Sequence, residues 1–523
     1  MAACVVFFLL GQAFIPRLGI EDDESLFAMP LLQPRSAEYT LRVGHSHFPL
    51  MLMSYLGTLK TLVFNPLFKI FGTGVWITRE PMLLAGALSV WIFYLLLRRV
   101  CGERAAVAGC VLLALDSCYL LTSVFDWGPV ALQHLLFTGG AYLLVRFYQG
   151  RRDRFLAAGC FAFGLALWDK ALGEWMLSGL ALAALVVCLP EIRAVLSWKR
   201  VKIAAVTLCA GALPLLIYNA ATGGGTMHGN FKRETDQFPQ KALMFVNTLR
   251  GQGLLGYLTD EDWQTPRPRE PENAWQEASA ELDEWTGQPR YNLMLWALAG
   301  ALLLAPLAGR AALRMVLFCT IAGGVAWFQM AITAGAGGSV HHSILLWPLP
   351  LAAIAAAFAG ASERLGRAGV WALAAVVAVL GVSCLLVTNT YYRMMLRNGG
   401  SVAWTDAINP LNQYLARSGA EAVYCVDWGI LDNLRLLSHG KLPLRVGLDE
   451  LPGDEVAQIA SDPANLFVAH TTDFAVFPQV NPRWIQAGAA AGFQSQELAT
   501  ISDSYGRAIF EVYRFRREGR QVP

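Results

Sequence analysis

In a chain of 523 residues, 55% are hydrophobic and only 15% charged, with a mean hydropathy of +0.42. Soluble domains carry about 25% charged residues, so this composition excludes an ordinary globular protein and points to a polytopic membrane protein with soluble additions. A net charge of +2 offers no basic footprint for nucleic acid.

The chain opens on an apolar segment, 2–18, with no basic start and no small-x-small cleavage site before Glu21. That reads as an uncleaved anchor rather than a signal peptide. Directly after it come Glu21-Asp22-Asp23-Glu24, and four carboxylates in a row are costly to hold against a bilayer. They read either as a solvated acidic cap or as a catalytic carboxylate group waiting for a membrane-borne substrate. Residues 45–72, HSHFPLMLMSYLGTLKTLVFNPLFKIFG, are apolar but broken by Pro49, Gly57, Lys60 and Pro66. With Lys60 and Lys69 among aromatics, the stretch reads as amphipathic helices lying in the membrane interface.

Apolar segments of span length fall at 2–18, 82–97, 105–122, 128–145, 155–168, 174–190, 202–218, 291–308, 311–333, 343–360 and 368–388, eleven in all. Basic residues cluster on every second short connection: Arg98, Arg99 and Arg104; Arg146, Arg151, Arg152 and Arg154; Arg193, Lys199, Arg200 and Lys202; Arg310 and Arg314; Arg364 and Arg367. The positive-inside rule makes these connections cytoplasmic. The N-terminus is then cytoplasmic, and loops 19–81, 123–127, 169–173, 219–290 and 334–342 lie outside with the tail from 389. A transmembrane unit, 1–388, is followed by an extracytoplasmic unit, 389–523.

The long outer loop 219–290 opens with Thr222-Gly223-Gly224-Gly225-Thr226 and closes with Trp263, Trp275 and Trp285 among many acids. The glycine run lacks the Lys-Ser/Thr of a phosphate loop and follows no strand, so no nucleotide site is expected. The tryptophans read as a carbohydrate surface or a membrane belt. Beyond residue 401 the composition is that of a soluble domain. Strands are expected at Ala422–Val426, Leu442–Val446, Leu466–Ala469 and Ala508–Tyr513, and helices at Ser401–Ala416 and Pro482–Ala491. Together they form a small α/β domain, with Asp427-Trp428 at the end of the first strand, where α/β folds place ligands and where Asp427 reads alternatively, and by preference, as a helix cap. Of the ten cysteines, nine (Cys4, Cys101, Cys110, Cys118, Cys160, Cys188, Cys209, Cys319 and Cys384) lie in or beside apolar segments and only Cys425 in a polar region. No disulfide framework or CxxC metal site is written there.

Polar residues recur at the outer mouths of the spans. They are Asp22, Asp23, Glu24, His45, His47 and Arg79 in the first loop, Asp126 after the third span, Asp169, Lys170 and Glu174 after the fifth, and His341-His342 before the tenth. Ionisable groups at this depth must find partners or bear desolvation, which makes them functional candidates. A structural alternative pairs Lys170 with Glu174 at i,i+4. The chemistry that fits is glycosyl transfer from a polyprenyl-phosphate sugar. A carboxylate would serve as base on an acceptor hydroxyl, and cations would neutralise the departing phosphate. No cofactor is required. A divalent metal could be held by Asp or Glu with His, although the histidine spacing fits no tight ligand motif.

Asp23-Glu24 followed by SLFAMPLL, then His47-Phe48-Pro49-Leu50, resembles the first outer loop of the GT-C glycosyltransferases. The similarity extends to the protein O-mannosyltransferases, the lipid A aminoarabinose transferases and the RgtA/B/C/D-like family. It spans roughly residues 15–360. The resemblance implies Asp23 as catalytic base with Glu24 beside it, leaving Asp22 as a neighbouring candidate. It further implies Asp22, His47, Arg79, Asp126, Lys170, His341 and His342 as substrate-binding residues, with Arg79, Lys170 and the histidine pair toward phosphate. Phe48 stands where the family motif has a proline. The implied protein is a multi-pass enzyme of the cytoplasmic (inner) membrane, with a lipid-linked sugar donor and a glycan, lipid or protein acceptor. The alternative is a transporter or lipid-linked sugar flippase. Transporters place charges at the bilayer midplane and carry inverted repeats, whereas these charges gather at one face. Reporter fusions at residue 150 should read cytoplasmic and those at 260 extracytoplasmic; the reverse would overturn the topology.

Overall fold

The structure, a computed structural model, describes residues 1–261, 265–449 and 453–517. Trp263 lies outside the described residues. Each of the eleven apolar segments is helical. Four single helices have the length and composition of a span: Val75–Val100, Val130–Gly150, Arg310–Ala331 and Gly366–Asn398. Three bent pairs bring the number to seven if each is one span: Glu103–Leu115 with Ser117–Val124 (58°), Trp198–Gly211 with Leu213–Thr222 (72°), and Val340–Leu346 with Leu349–Glu363 (40°). The bends have local causes. Asp116 caps a fresh helix start by accepting from Tyr119 N, and Pro214 and Pro350 sit in the first turns of their second helices, where proline is tolerated. The remaining apolar segments are shorter helices, among them Ala2–Phe14, Asp153–Asp169 and Gly173–Val187.

Close backbone approach holds several of these helices together. A Cβ on Gly164 would stand 2.2 Å from the Leu208 carbonyl oxygen, and one on Gly211 2.3 Å from that of Phe161. Helices Asp153–Asp169 and Trp198–Gly211 therefore meet through reciprocal glycines, the small-residue packing that membrane helices use in place of a hydrophobic driving force.

The stretch 45–72 departs from the expected interfacial helices. Ser46–Met53 is a strand pairing antiparallel with Tyr39–Val43 and with the two-residue strand Leu56–Gly57; only Leu59–Phe71 is helical. A short apolar run fits a buried strand as well as a helix. The tertiary setting selects the strand, with Leu50, Met51 and Leu52 buried while Ser46, His47 and Phe48 stay exposed.

The C-terminal domain is a five-stranded mixed sheet in the order Leu444–Val446, Ala422–Cys425, Asn465–His470, Ala508–Arg517, Phe493–Ser502. The first three strands run parallel and the last two antiparallel. All four expected strands are present, Phe493–Ser502 is added at the edge, and the expected first helix begins at Ile408. Asp427 does not cap a helix. Its carboxylate accepts from the Trp428, Val476 and Phe477 amides and from His470 Nδ1, tying the loop after Asn465–His470 to the end of Ala422–Cys425. One core of this domain also takes in Ile20, Ala28 and Met29 from the N-terminal segment, so the acidic stretch is clamped between the membrane helices and the sheet domain.

Gly164→Leu or Gly211→Leu should lower the thermal midpoint of the purified protein, overpacking of this kind costing about 1–3 kcal/mol. Melting indistinguishable from the parent would mean that the two helices are not in contact.

Candidate active site

The acidic stretch forms a short helix, Asp22–Leu26, opened by Glu21, whose side chain accepts from Glu24 N at 3.1 Å. Successive helical residues point about 100° apart, so the four carboxylates cannot share one environment. Glu24 is buried and meets Arg79 in a bidentate pair, with Nε to Oε1 at 2.7 Å and Nη2 to Oε2 at 2.8 Å. The other Arg79 donors reach the carbonyls of Ile15, Leu18 and Gly19, and its guanidinium lies over the Phe125 ring at 4.7 Å. All five N–H groups are thus engaged. Arg79, expected toward phosphate, instead ties the end of the first helix to the acidic helix, and Glu24 is its counter-charge. The outer side of that helix is fixed by the sheet domain, where Ser25 Oγ donates to Asn433 Oδ1 at 2.8 Å.

Asp22 and Asp23 face different fields. Asp22 lies near Asp432 of the sheet domain, and burial followed by that repulsion raises its pKa. Asp23 faces Lys170 and Lys60. Burial lifts its carboxyl to about 6 against the pull of those two ammonium groups. Lys60 is fully buried, 3.2 Å from Asp126 Oδ2, with its ammonium 4.4 Å from the Phe27 ring centre; the interface position expected for it does not hold. Asp126 also caps the next long helix by accepting from Val130 N at 2.7 Å. Asp169 is buried and accepts from Gln133 Nε2 at 3.1 Å.

Lys170 is 1% exposed. It follows helix Asp153–Asp169 in extended conformation, and its backbone bridges to Leu56 of the small sheet. Burial lowers its pKa to about 8, while Asp126, Asp23 and Asp169 pull it back up. Its expected partner Glu174 is exposed, and no ion pair joins the two among the described residues, because the helix ends before Lys170 and a new one starts at Gly173. Lys170 Nζ points toward Gly128, where a Cβ would lie 3.3 Å from it and 3.1 Å from the His341 ring.

Rings wall this centre. Trp127 Nε1 donates to His341 Nδ1 at 2.9 Å. Trp127 packs on Tyr257 and Trp404 with centroids 5.0 and 5.8 Å apart, and the His341 and His342 rings meet at a tilt of 48° with centroids 4.1 Å apart. Tyr257, from the long outer loop, lies close enough to Glu21 and Asp23 for their charges to add to burial in raising its hydroxyl pKa. The structure thus brings together Asp23, Asp126, Lys170 and His341, with His342 beside them. His47 stays exposed on its hairpin, away from the buried groups. Lys60, expected at the membrane interface, and Tyr257, which no motif marks, are further neighbours of this centre. Among the described residues, no three His, Cys, Asp or Glu side chains are grouped to hold a metal ion.

Apolar helices carry a buried charge cluster at one end, closed by a small mixed-sheet domain, and this arrangement is shared with solved membrane glycosyltransferase structures. Residues 61–218 match the family described as dolichyl-phosphate-mannose-protein mannosyltransferase, a stretch holding Arg79, Asp126 and Lys170. The fold is similar to that of ArnT from Cupriavidus metallidurans bound to undecaprenyl phosphate, at 13% identity and TM-score 0.56, covering 98% of this chain and 96% of that one. The apo ArnT structure matches with the same identity and coverage at TM-score 0.54. The Archaeoglobus fulgidus oligosaccharyltransferase in complex with Zn and sulfate is similar at 12% identity and TM-score 0.50, over 85% of this chain and 62% of that one. No curated protein sequence matches this chain.

Arg79→Ala leaves Glu24 charged and buried without its partner, a change costing about 3–5 kcal/mol. It should sharply lower the thermal midpoint and the yield of monodisperse protein in detergent. Unaltered melting would show that the pair does not hold the acidic helix.

Proposed function

We propose that the protein transfers a sugar from a polyprenyl-phosphate-linked donor to an acceptor at the outer face of the cytoplasmic membrane, with Asp23 as the base. One observation carries this reading. Among the described residues Asp23 and Lys170 form no hydrogen bond or ion pair, and they face each other's field; Asp22 is likewise unpaired but has Asp432, not a lysine, as its neighbouring charge. Glu24, Arg79, Lys60 and Asp126 are committed to one another or to backbone. An unengaged carboxylate beside an unengaged ammonium is what an acceptor hydroxyl and a leaving phosphate require. That ArnT was crystallised with undecaprenyl phosphate supports a polyprenyl carrier.

In the step itself, Asp23 takes the proton of the acceptor hydroxyl. The acceptor oxygen bonds to the anomeric carbon as the bond from that carbon to the phosphate oxygen breaks, and the polyprenyl phosphate leaves with the electron pair. The charge it gains is met by Lys170, in a site where burial strengthens the interaction. His341, held by Trp127, borders the same space and is a substrate contact in this reading; His342 backs it. Asp126 and Lys60 position the loop that carries Trp127 and Gly128. The C-terminal unit, 389–523, braces the acidic helix through the bond of Ser25 to Asn433.

The pH dependence has a definite sign. Asp23 must be ionised, so kcat/KM rises as pH passes about 6; Lys170 must be cationic, so it falls as pH passes about 8. Lys170→Arg, whose guanidinium stays charged, should remove the alkaline limb and keep the acidic one. Asp23→Asn should lower transfer about 10²–10⁴-fold, the typical contribution of a general base, with the thermal midpoint unchanged. A panel of radiolabelled polyprenyl-phosphate hexoses and pentoses, with envelope extract as the source of acceptor, reads both outcomes. Undiminished transfer by Asp23→Asn would remove that residue from the mechanism.

A further inference from the structure

We infer that helix Ala274–Trp285, within the long outer loop, lies in the outer membrane–water interface with Trp275, Leu282 and Trp285 in lipid. Its sequence is amphipathic, and the helix is mounted the opposite way from one on a soluble surface, where the apolar stripe faces the core. Here the inward residues are polar. Gln276, Ser279 and Asp283 are 4%, 6% and 3% exposed. Ser279 Oγ donates to Asn389 Oδ1 at 2.7 Å, Asn389 Nδ2 donates to Ser279 O at 2.9 Å, and Thr390 Oγ1 donates to Asp283 Oδ1 at 2.7 Å. These bonds fasten it to the long helix Gly366–Asn398. The outward residues are apolar, with Trp275 67%, Leu282 38% and Trp285 85% exposed.

The third face decides what covers them. Glu277, Glu281 and Glu284 are all exposed. At about 100° per residue they form a separate stripe, set roughly a third of a turn from both the tryptophan stripe and the polar inward stripe. The helix therefore presents one face to protein, one to an apolar phase and one to water, the situation of a helix lying in the plane of a membrane interface. Beyond the polar turn 286–290 the chain exposes further large apolar residues. Tyr291 (61%) and Trp296 (66%) are exposed just before and within the apolar helix Met294–Leu304, whose Leu303 is 79% exposed. Tryptophan and tyrosine concentrate at this depth because an amphipathic ring suits the headgroup level. The bonds to Asn389 and Thr390 set this helix at the outer end of the apolar segment 368–388, the depth at which a protein partner would compete with lipid headgroups for the tryptophans.

The full chain, reconstituted in vesicles of phosphatidylethanolamine and phosphatidylglycerol, tests this with a photo-crosslinking residue. Trp275→p-benzoylphenylalanine and Trp285→p-benzoylphenylalanine should give phospholipid adducts on irradiation, detected by mass spectrometry. The same replacement at Glu277 and Glu281 should show loss of those adducts. Adducts at equal levels at all four positions, or chain-to-chain crosslinks without lipid at 275 and 285, would overturn the assignment. These positions are exposed, and the readout does not depend on sugar transfer.

Discussion

The buried pair of Arg79 and Glu24 is the interaction on which the arrangement depends. A guanidinium with every donor engaged and a carboxylate accepting two of those bonds can be held out of water, whereas either alone would be strongly destabilising there. The pair joins the long helix Val75–Val100 to the acidic helix and, through the carbonyls of Ile15, Leu18 and Gly19, to the end of the first helix. With Glu24 so fixed and Glu21 turned back to cap the helix, the rotation of the helix is set. Asp23 is left on the side of the lysines, and Asp22 on the side of Asp432.

The sheet domain closes the same site from outside. Ser25 bonds Asn433, Gly19 N donates to the Trp404 carbonyl at 2.9 Å, and the Trp404 ring packs against Trp127 and Tyr257. A carboxyl held near 6 and an ammonium held near 8 follow from this enclosure, because burial disfavours the charged form of each while the other charge restores it. Opening the site to water would return both to their ordinary values and weaken the attraction between the ammonium and an incoming phosphate.

Much of this was legible in the residues and part was not. Asp23, Asp126, Lys170 and the histidine pair stood out because ionisable side chains at the mouths of apolar segments are costly unless used or paired. Which were paired was not legible. Arg79 and Glu24 are 55 positions apart, and nothing in either segment tells that the arginine is consumed by structure. The burial of Lys60 is not legible either, because an amphipathic run with a lysine fits an interface as readily as a buried ion pair. His47 carried a motif resemblance and lies exposed. The strands of the sheet domain were legible from β-branched and aromatic runs. The strand at Ser46–Met53 was not, because a short apolar run has no period of its own until neighbouring structure gives it two faces.

The most direct test of the account is a cryo-electron-microscopy reconstruction of the protein with undecaprenyl phosphate bound. The account places the phosphate against Lys170 Nζ, at the about 2.7–2.9 Å of a charge-assisted hydrogen bond, with the Asp23 carboxylate opening onto the same space and Glu24 still held by Arg79. Phosphate density seated away from Lys170, with Asp23 and Lys170 closed on each other, would contradict it.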